Sequence, residues 1–219
     1  MLYRYQRAIV ALSEVLQKIS VYGYFTIKGR CPENVNLQPE FRLSDFYGKW
    51  YQVYHHSSDN RNNNNCSILE LTTRPSGIYL NQSRVDRGLF HRYSMGELTI
   101  PINIEDAANM DVTYVFPEEP RRIKSRKYPF RILATNYNYY ATVYTCVYSP
   151  LIDKHFIYVW ILSRKHSLNL VSKELAIKPL SQIGIDSTKL LKDDFSKCYP
   201  KYYEDKQSNP LTFSYPVPI

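Results

Sequence analysis

The sequence predicts an all-β protein, an eight-stranded antiparallel up-and-down barrel followed by one C-terminal α-helix, and three observations predict it. Eight segments rich in β-branched and aromatic residues recur at about 48–55, 66–73, 77–85, 90–98, 110–116, 130–135, 140–148 and 155–164. Strands joined in simple succession close most readily as an up-and-down barrel. Twenty-one Tyr, thirteen Pro and seven Gly among 219 residues favour strands over a helical bundle. Finally, Arg74-Pro75-Ser76-Gly77 reads as a tight hairpin turn, and Gly96 interrupts the fourth strand where a barrel wall must bend.

Taken in order, residues 1–30 read as a leader or loose segment. Tyr5, Ile9, Leu12, Leu16 and Ile19 fall on one face of a basic amphipathic helix, whose contact with a membrane surface is a secondary reading. A secretory leader needs an apolar run of about 7–15 residues, whereas the run Ala8 to Leu12 is five long. Cys31 to Leu43 is an extended arm, and residues 31–198 form the domain. Gly48 before Trp50 suggests backbone passing close beneath the indole at the start of the first strand. The Asn-rich stretch 59–65 is a polar loop, and Leu170, Val171, Leu175 and Leu180 recur at helical spacing up to Ile183, limited by Pro179. Residues 199–219, rich in Tyr, Pro and Lys, read as a flexible tail. No stretch reaches the apolar length of a membrane-spanning helix.

Cys31, Cys66, Cys146 and Cys198 have no C-x-x-C spacing and no clustered His, which argues against a zinc site and for two disulfides in an oxidising compartment. Spacing alone leaves three pairings open. The formal charge of +8 admits nucleic-acid or anionic-membrane contact but is most simply a solvated surface. There is no G-x-S-x-G, H-E-x-x-H or P-loop, so an enzyme is a minor alternative and no catalytic residue or metal ligand is assigned.

Three blocks carry a family resemblance: Gly48-Lys49-Trp50-Tyr51, Ile132-Leu133-Ala134-Thr135-Asn136-Tyr137, and Trp160-Ile161-Leu162-Ser163-Arg164. In that order and spacing the chain resembles the lipocalins, and within them the group holding apolipoprotein D, insecticyanin and the bilin-binding proteins. Asp186-Ser187-Thr188-Lys189 and Asp193-Asp194-Phe195-Ser196 extend the likeness, which runs from about Cys31 to Cys198. One departure is Asn136, where the family usually has Asp; the turn survives this exchange but a salt bridge there would not.

The resemblance implies a calyx with the helix packed outside, bridges Cys31 to Cys146 and Cys66 to Cys198, and closure of the base by Arg164 over Trp50. With Cys146 facing outward, alternation puts Ala141, Val143 and Thr145 inside; Cys66 outward puts Leu69 and Leu71 inside; and Arg164 at the base gives its inward face to Leu162, Trp160, Tyr158 and Phe156. The expected pocket wall is Tyr54, Leu71, Phe130, Ile132, Ala141, Val143, Tyr158 and Trp160, with ordinary barrel core as the competing reading. The small residues Ala134, Ala141 and Thr145 favour a cavity. Five basic residues stand among the seven from Arg121 to Lys127. Arg121, Arg122 and Lys124, with Arg126, Lys127, His55 and His56, are expected to charge the mouth. Asn81-Gln82-Ser83 is a glycosylation sequon, which requires that face of its strand to be external.

The function implied is a secreted, non-catalytic lipocalin that carries or sequesters one small hydrophobic, anionic ligand, a bilin or a fatty acid. No cofactor is required, and biliverdin is the candidate bound molecule. No nucleic-acid partner is implied, and oligomeric state is left open. The alternative is a filled barrel whose basic surface binds a macromolecule or a membrane.

Overall fold

The computed structural model describes residues 27–57, 64–86, 90–103, 106–115, 125–196 and 198. Eight antiparallel strands, β2 (Gly48–Ser57), β3 (Asn64–Arg74), β4 (Gly77–Asp86), β5 (Phe90–Thr99), β6 (Asn109–Val115), β7 (Ser125–Thr135), β8 (Tyr140–Ser149) and β9 (Lys154–Ser163), pair in succession, and β2 pairs with β9 to close the barrel. Two short strands add to this frame, β1 (Ile27–Lys28) on β9 and β10 (Leu191–Lys192) on β2. Contacts with the barrel continue just ahead of Cys31: Gly29 N donates to Asp153 O, and His155 Nδ1 lies 2.9 Å from Gly29 O.

The expected strands are all present, with one notable extension. β7 starts at Ser125 rather than near Phe130, so Ser125, Arg126 and Lys127 belong to a strand and not to a basic loop. Pro129 sits inside β7 without breaking it because the ladder to β8 covers only Arg131 to Thr135 and leaves Pro129 beyond its end.

Closing the barrel sorts side chains into two apolar layers. The inner layer holds Trp50, Leu69, Leu71, Leu80, Met110, Val112, Phe130, Ile132, Ala141, Val143 and Leu162. Gly96 makes this layer possible, since a Cβ there would lie 2.3 Å from Val112 Cγ1 and 2.9 Å from Tyr114 Cε1. The outer layer holds Val53, Leu133, Tyr144, Ile157, Val159 and Ile161 under the C-terminal helical segment. That segment is α2 (Leu170–Ile177) running into a 3-10 turn (Lys178–Ile183) at Pro179; a four-residue α1 (Leu43–Phe46) precedes β2.

Of the residues at helical spacing Leu180 is buried, but the three on α2 itself are not its packed face. Leu170 and Val171 are 71% and 67% exposed and Leu175 is also exposed, whereas Ser172, Ala176 and Leu180 are buried against the barrel. Small side chains let the helix backbone approach so closely that Thr142 Oγ1 donates to Ala176 O at 2.6 Å. Asn169 caps the helix by accepting from Ser172 N.

Disulfides Cys31–Cys146 and Cys66–Cys198 tie the N-terminal arm to β8 and the C-terminal segment to β3. The second bridge holds that segment where β2 and β3 part, their pairing being confined to Gly48–Tyr51 with Ile68–Leu71. Into this seam comes β10, Leu191 opposite His55 and Lys192 opposite Tyr54.

Candidate ligand site in the barrel

The base of the barrel is closed by named contacts. Arg164 Cζ lies 3.7 Å from the centre of the Trp50 ring. Its nitrogens donate to three carbonyls, Tyr137 O at 3.0 Å, Lys49 O at 2.8 Å and Asp45 O at 3.2 Å. Trp50 Nε1 donates to Phe46 O, and Phe41 and Phe46 pack beneath the indole. Gly48 is required here by its backbone, φ +87°, and not by close approach, since an added Cβ would meet only Arg164 Nη1 at 3.7 Å. Asn136 holds the neighbouring turn by accepting from Tyr139 N and Tyr140 N, so the missing charge costs the turn nothing.

Above this floor the expected wall residues divide. Leu71, Phe130, Ile132, Ala141 and Val143 are gathered in the inner layer and fully buried. Trp160 packs against them but is only half-buried, and Tyr158 stacks on it with ring centres 6.3 Å apart and planes 11° apart. Phe156, the next inward residue of β9 beyond Tyr158, is buried again. Trp160, Tyr158 and Tyr128 are half-buried rings packed on or beside the inner layer.

Tyr54 does not belong to this wall. A bulge between Gln52 and Tyr54 adds Val53 to β2, so Val53 and Tyr54 both face outward, and Lys173 Nζ of α2 lies 4.9 Å from the Tyr54 ring centre. A second bulge, between Ile132 and Ala134 of β7, likewise turns Ala134 to the outer layer, so it does not enlarge the interior. Thr145 faces in but is engaged, its hydroxyl donating to Pro129 O.

The same bulge in β2 carries His55 inward instead of leaving it at the rim. His55 is opposite Trp160 and Gln52 is opposite Leu162 in the β2–β9 ladder, which puts both on the inner face. Asp193, just after β10, enters the seam and lies between them. Its Oδ1 is 2.6 Å from His55 Nδ1, and its two oxygens accept from Gln52 Nε2 at 3.2 and 3.0 Å. Burial pushes the Asp193 carboxyl above the usual carboxylate range, opposed by the hydrogen bonds from His55 and Gln52. This polar cluster was missed: Asp193 stands in the segment that carried the family likeness, with no periodicity to show that it turns into the barrel.

The mouth charges Arg121, Arg122 and Lys124 lie outside the described residues. Lys127 is not a free rim charge, because its Nζ is 2.8 Å from Asp111 Oδ2, and Arg131 shares the same carboxylate. Asn81 is on the outer face as a glycan needs, yet it is buried; its Nδ2 donates to Thr72 Oγ1 and its Oδ1 accepts from Tyr93 Oη. Among the described residues no group of three or more His, Cys, Asp or Glu is placed to hold a metal ion.

Residues 47–196 match the model of the lipocalin / cytosolic fatty-acid binding protein family. The chain is a lipocalin. It is 29% identical over 177 residues to insecticyanin-A of Manduca sexta, covering 80% of this chain and 90% of that protein. It is 28% identical to apolipoprotein D of Cavia porcellus, covering 78% and 85%, and 25% identical to the bilin-binding protein of Pieris brassicae, covering 77% and 86%. Among solved structures, that of insecticyanin from the tobacco hornworm superposes with TM-score 0.66 at 28% identity, over 79% of this lipocalin and 90% of that chain. Lobster apocrustacyanin A1 shares the fold at TM-score 0.58 and 18% identity, over 77% and 90%.

Proposed function

We propose that this lipocalin is an extracellular carrier that holds one small hydrophobic ligand in its barrel, on Trp160 and Tyr158, within a wall of Leu71, Phe130, Ile132, Ala141 and Val143. The observation that carries the reading is the change along the inner face of β9: Leu162 is fully buried over the closed base and Phe156 is buried at the other end, and between them Trp160 and Tyr158 are only half-buried. Parallel-stacked rings at that level offer a flat apolar surface to a conjugated or polycyclic ligand. The relatives support the class of ligand, since one of them is named for bilin binding. Two disulfides support an oxidising compartment outside the cell.

Biliverdin is the specific candidate, with its carboxylates left at the basic mouth that Arg121, Arg122 and Lys124 would supply. Native mass spectrometry of protein purified from its source tests the carrier reading. One non-covalent adduct of discrete mass, lost on mild activation, is the expected result. Adduct-free protein that also takes up no bilin, fatty acid or retinoid when titrated would contradict it.

A further inference from the structure

We propose that the tip of the β8–β9 hairpin docks this lipocalin on an anionic phospholipid bilayer, with Leu151 and Ile152 entering the lipid and Lys28 and Lys154 meeting the headgroups. Arg164 follows β9 and closes the base, so the hairpin that opens β9 at Lys154 stands at the other end of the barrel. Leu151 is 81% exposed and Ile152 46%. Beside them β1 adds Ile27, 45% exposed, which pairs with His155.

Apolar side chains standing singly in water are ordinary on a protein surface. The charge beside this tip is not. Lys28 is directly opposite Lys154 in the β1–β9 pairing, so the two side chains leave the same face of the sheet. Like charges placed this way repel and cost stability until an anion lies against both. Both lysines are exposed, as is Arg30, whose guanidinium lies 5.8 Å from the Tyr148 ring centre. Asp153 is the one acid in residues 27–30 and 148–155, and its Oδ1 accepts from Tyr148 Oη at 2.9 Å.

Apolar and basic residues together select the partner. Lysines alone would suit any polyanion, but two consecutive large apolar residues at a hairpin tip gain nothing from a soluble one. An anionic bilayer satisfies both, since its surface attracts the cations and its acyl boundary takes up the apolar side chains. Tyr148, half-buried two residues before Pro150, is an amphipathic ring of the kind that sits at the headgroup level. The docking is independent of what the barrel holds, and neither outcome of its test bears on the carrier reading.

Co-sedimentation of the full chain with vesicles of phosphatidylserine and phosphatidylcholine, against phosphatidylcholine alone, tests it. The mixed vesicles should bind about tenfold more tightly at low salt, and the difference should shrink as salt rises. Lys28→Gln with Lys154→Gln should weaken binding about tenfold, whereas Lys49→Gln with Lys165→Gln, the same change of charge at exposed positions of the closed base, should not. Leu151→Ser with Ile152→Ser should also weaken it about tenfold, and Ile102→Ser, at an exposed residue of the closed end, should leave it unchanged. Equal losses in the two lysine pairs would mean that net charge alone binds, and overturn the proposal. Undiminished binding without Leu151 and Ile152 overturns it too, as does lysine-dependent capture by heparin with no binding to vesicles. Insertion has its own readout: in Leu151→Trp, lipid with brominated acyl chains should quench the added fluorescence, and unquenched emission on bound vesicles overturns the entry of the tip into lipid.

Discussion

The Arg164 guanidinium lies over Trp50, its Cζ 3.7 Å from the ring centre, while donating to the backbone carbonyls of Asp45, Lys49 and Tyr137. Burial lowers the Arg164 pKa from its usual value, although arginine stays charged throughout the working range. A lysine ammonium could face the ring but could not span the three carbonyls. Arg164→Lys should therefore cost about 1–3 kcal/mol of stability, from the lost hydrogen bonds more than from the lost cation–π contact, and leave ligand affinity unchanged. Urea unfolding with a parallel binding titration checks both parts, and a variant as stable as the parent would show the closure to be ornamental.

Tyr144 faces the outer layer with its hydroxyl buried and without a hydrogen-bond partner among the described residues, and burial pushes its phenol up to about 12. A folded-state pKa above the unfolded value means that deprotonation at alkaline pH opposes folding. Tyr144→Phe removes the orphan hydroxyl and keeps the ring. It should be neutral or stabilising by about 1 kcal/mol, and should delay alkaline unfolding. Thermal melts at neutral and high pH measure this, and a loss above 1 kcal/mol would mean that the hydroxyl has a partner.

Asp193 gives a pH dependence of known sign. Its carboxyl is raised by burial, so the folded protein holds this proton more tightly than the unfolded chain does. The stability linked to it is complete below the ordinary carboxylate pKa and is lost as pH rises through the raised value. Asp193→Asn abolishes that titration. Its stability relative to the parent should improve from about pH 4 up to the raised value and level off above it, read by urea unfolding across a pH series. Parallel curves for the two proteins would contradict the raised carboxyl.

Ligand charge is tested by esterification. If Arg121, Arg122 and Lys124 line the mouth, biliverdin binds more tightly than its dimethyl ester at low salt, and the gap narrows as salt screens it. Neutralising the three residues together removes most of the gap. Equal affinities for acid and ester at low ionic strength would return the basic run to a solvated surface.

How much of this was legible in sequence follows from where alternation holds. On β8 and β9 no bulge intervenes, so outward Cys146 and basal Arg164 placed Ala141, Val143, Trp160 and Leu162 inward, as they stand. On β2 alternation from Trp50 runs only to Gln52, because the extra residue Val53 reverses everything after it, sending Tyr54 out and His55 in. A bulge at ordinary residues has no sequence signature, unlike the positive φ that marks Gly48. The α2 face was misread for a related reason. Burial there follows the fit of Ser172 and Ala176 against the wall, and the larger Leu170 and Val171 are left in water. Asp193 was beyond reach, since its role depends on β2 and β3 parting just where the Cys66–Cys198 bridge delivers the C-terminal segment.

The central claim is that a ligand lies in the barrel against Trp160 and Tyr158. Titrating biliverdin into the parent, Trp160→Ala and Trp50→Ala, and following the induced circular dichroism of the pigment, tests it directly. Loss of the stacked face should weaken binding about tenfold or more in Trp160→Ala, while Trp50→Ala should melt at lower temperature and, where folded, bind nearly as the parent does. Undiminished affinity and an unchanged pigment spectrum in Trp160→Ala would place the ligand elsewhere and contradict the account.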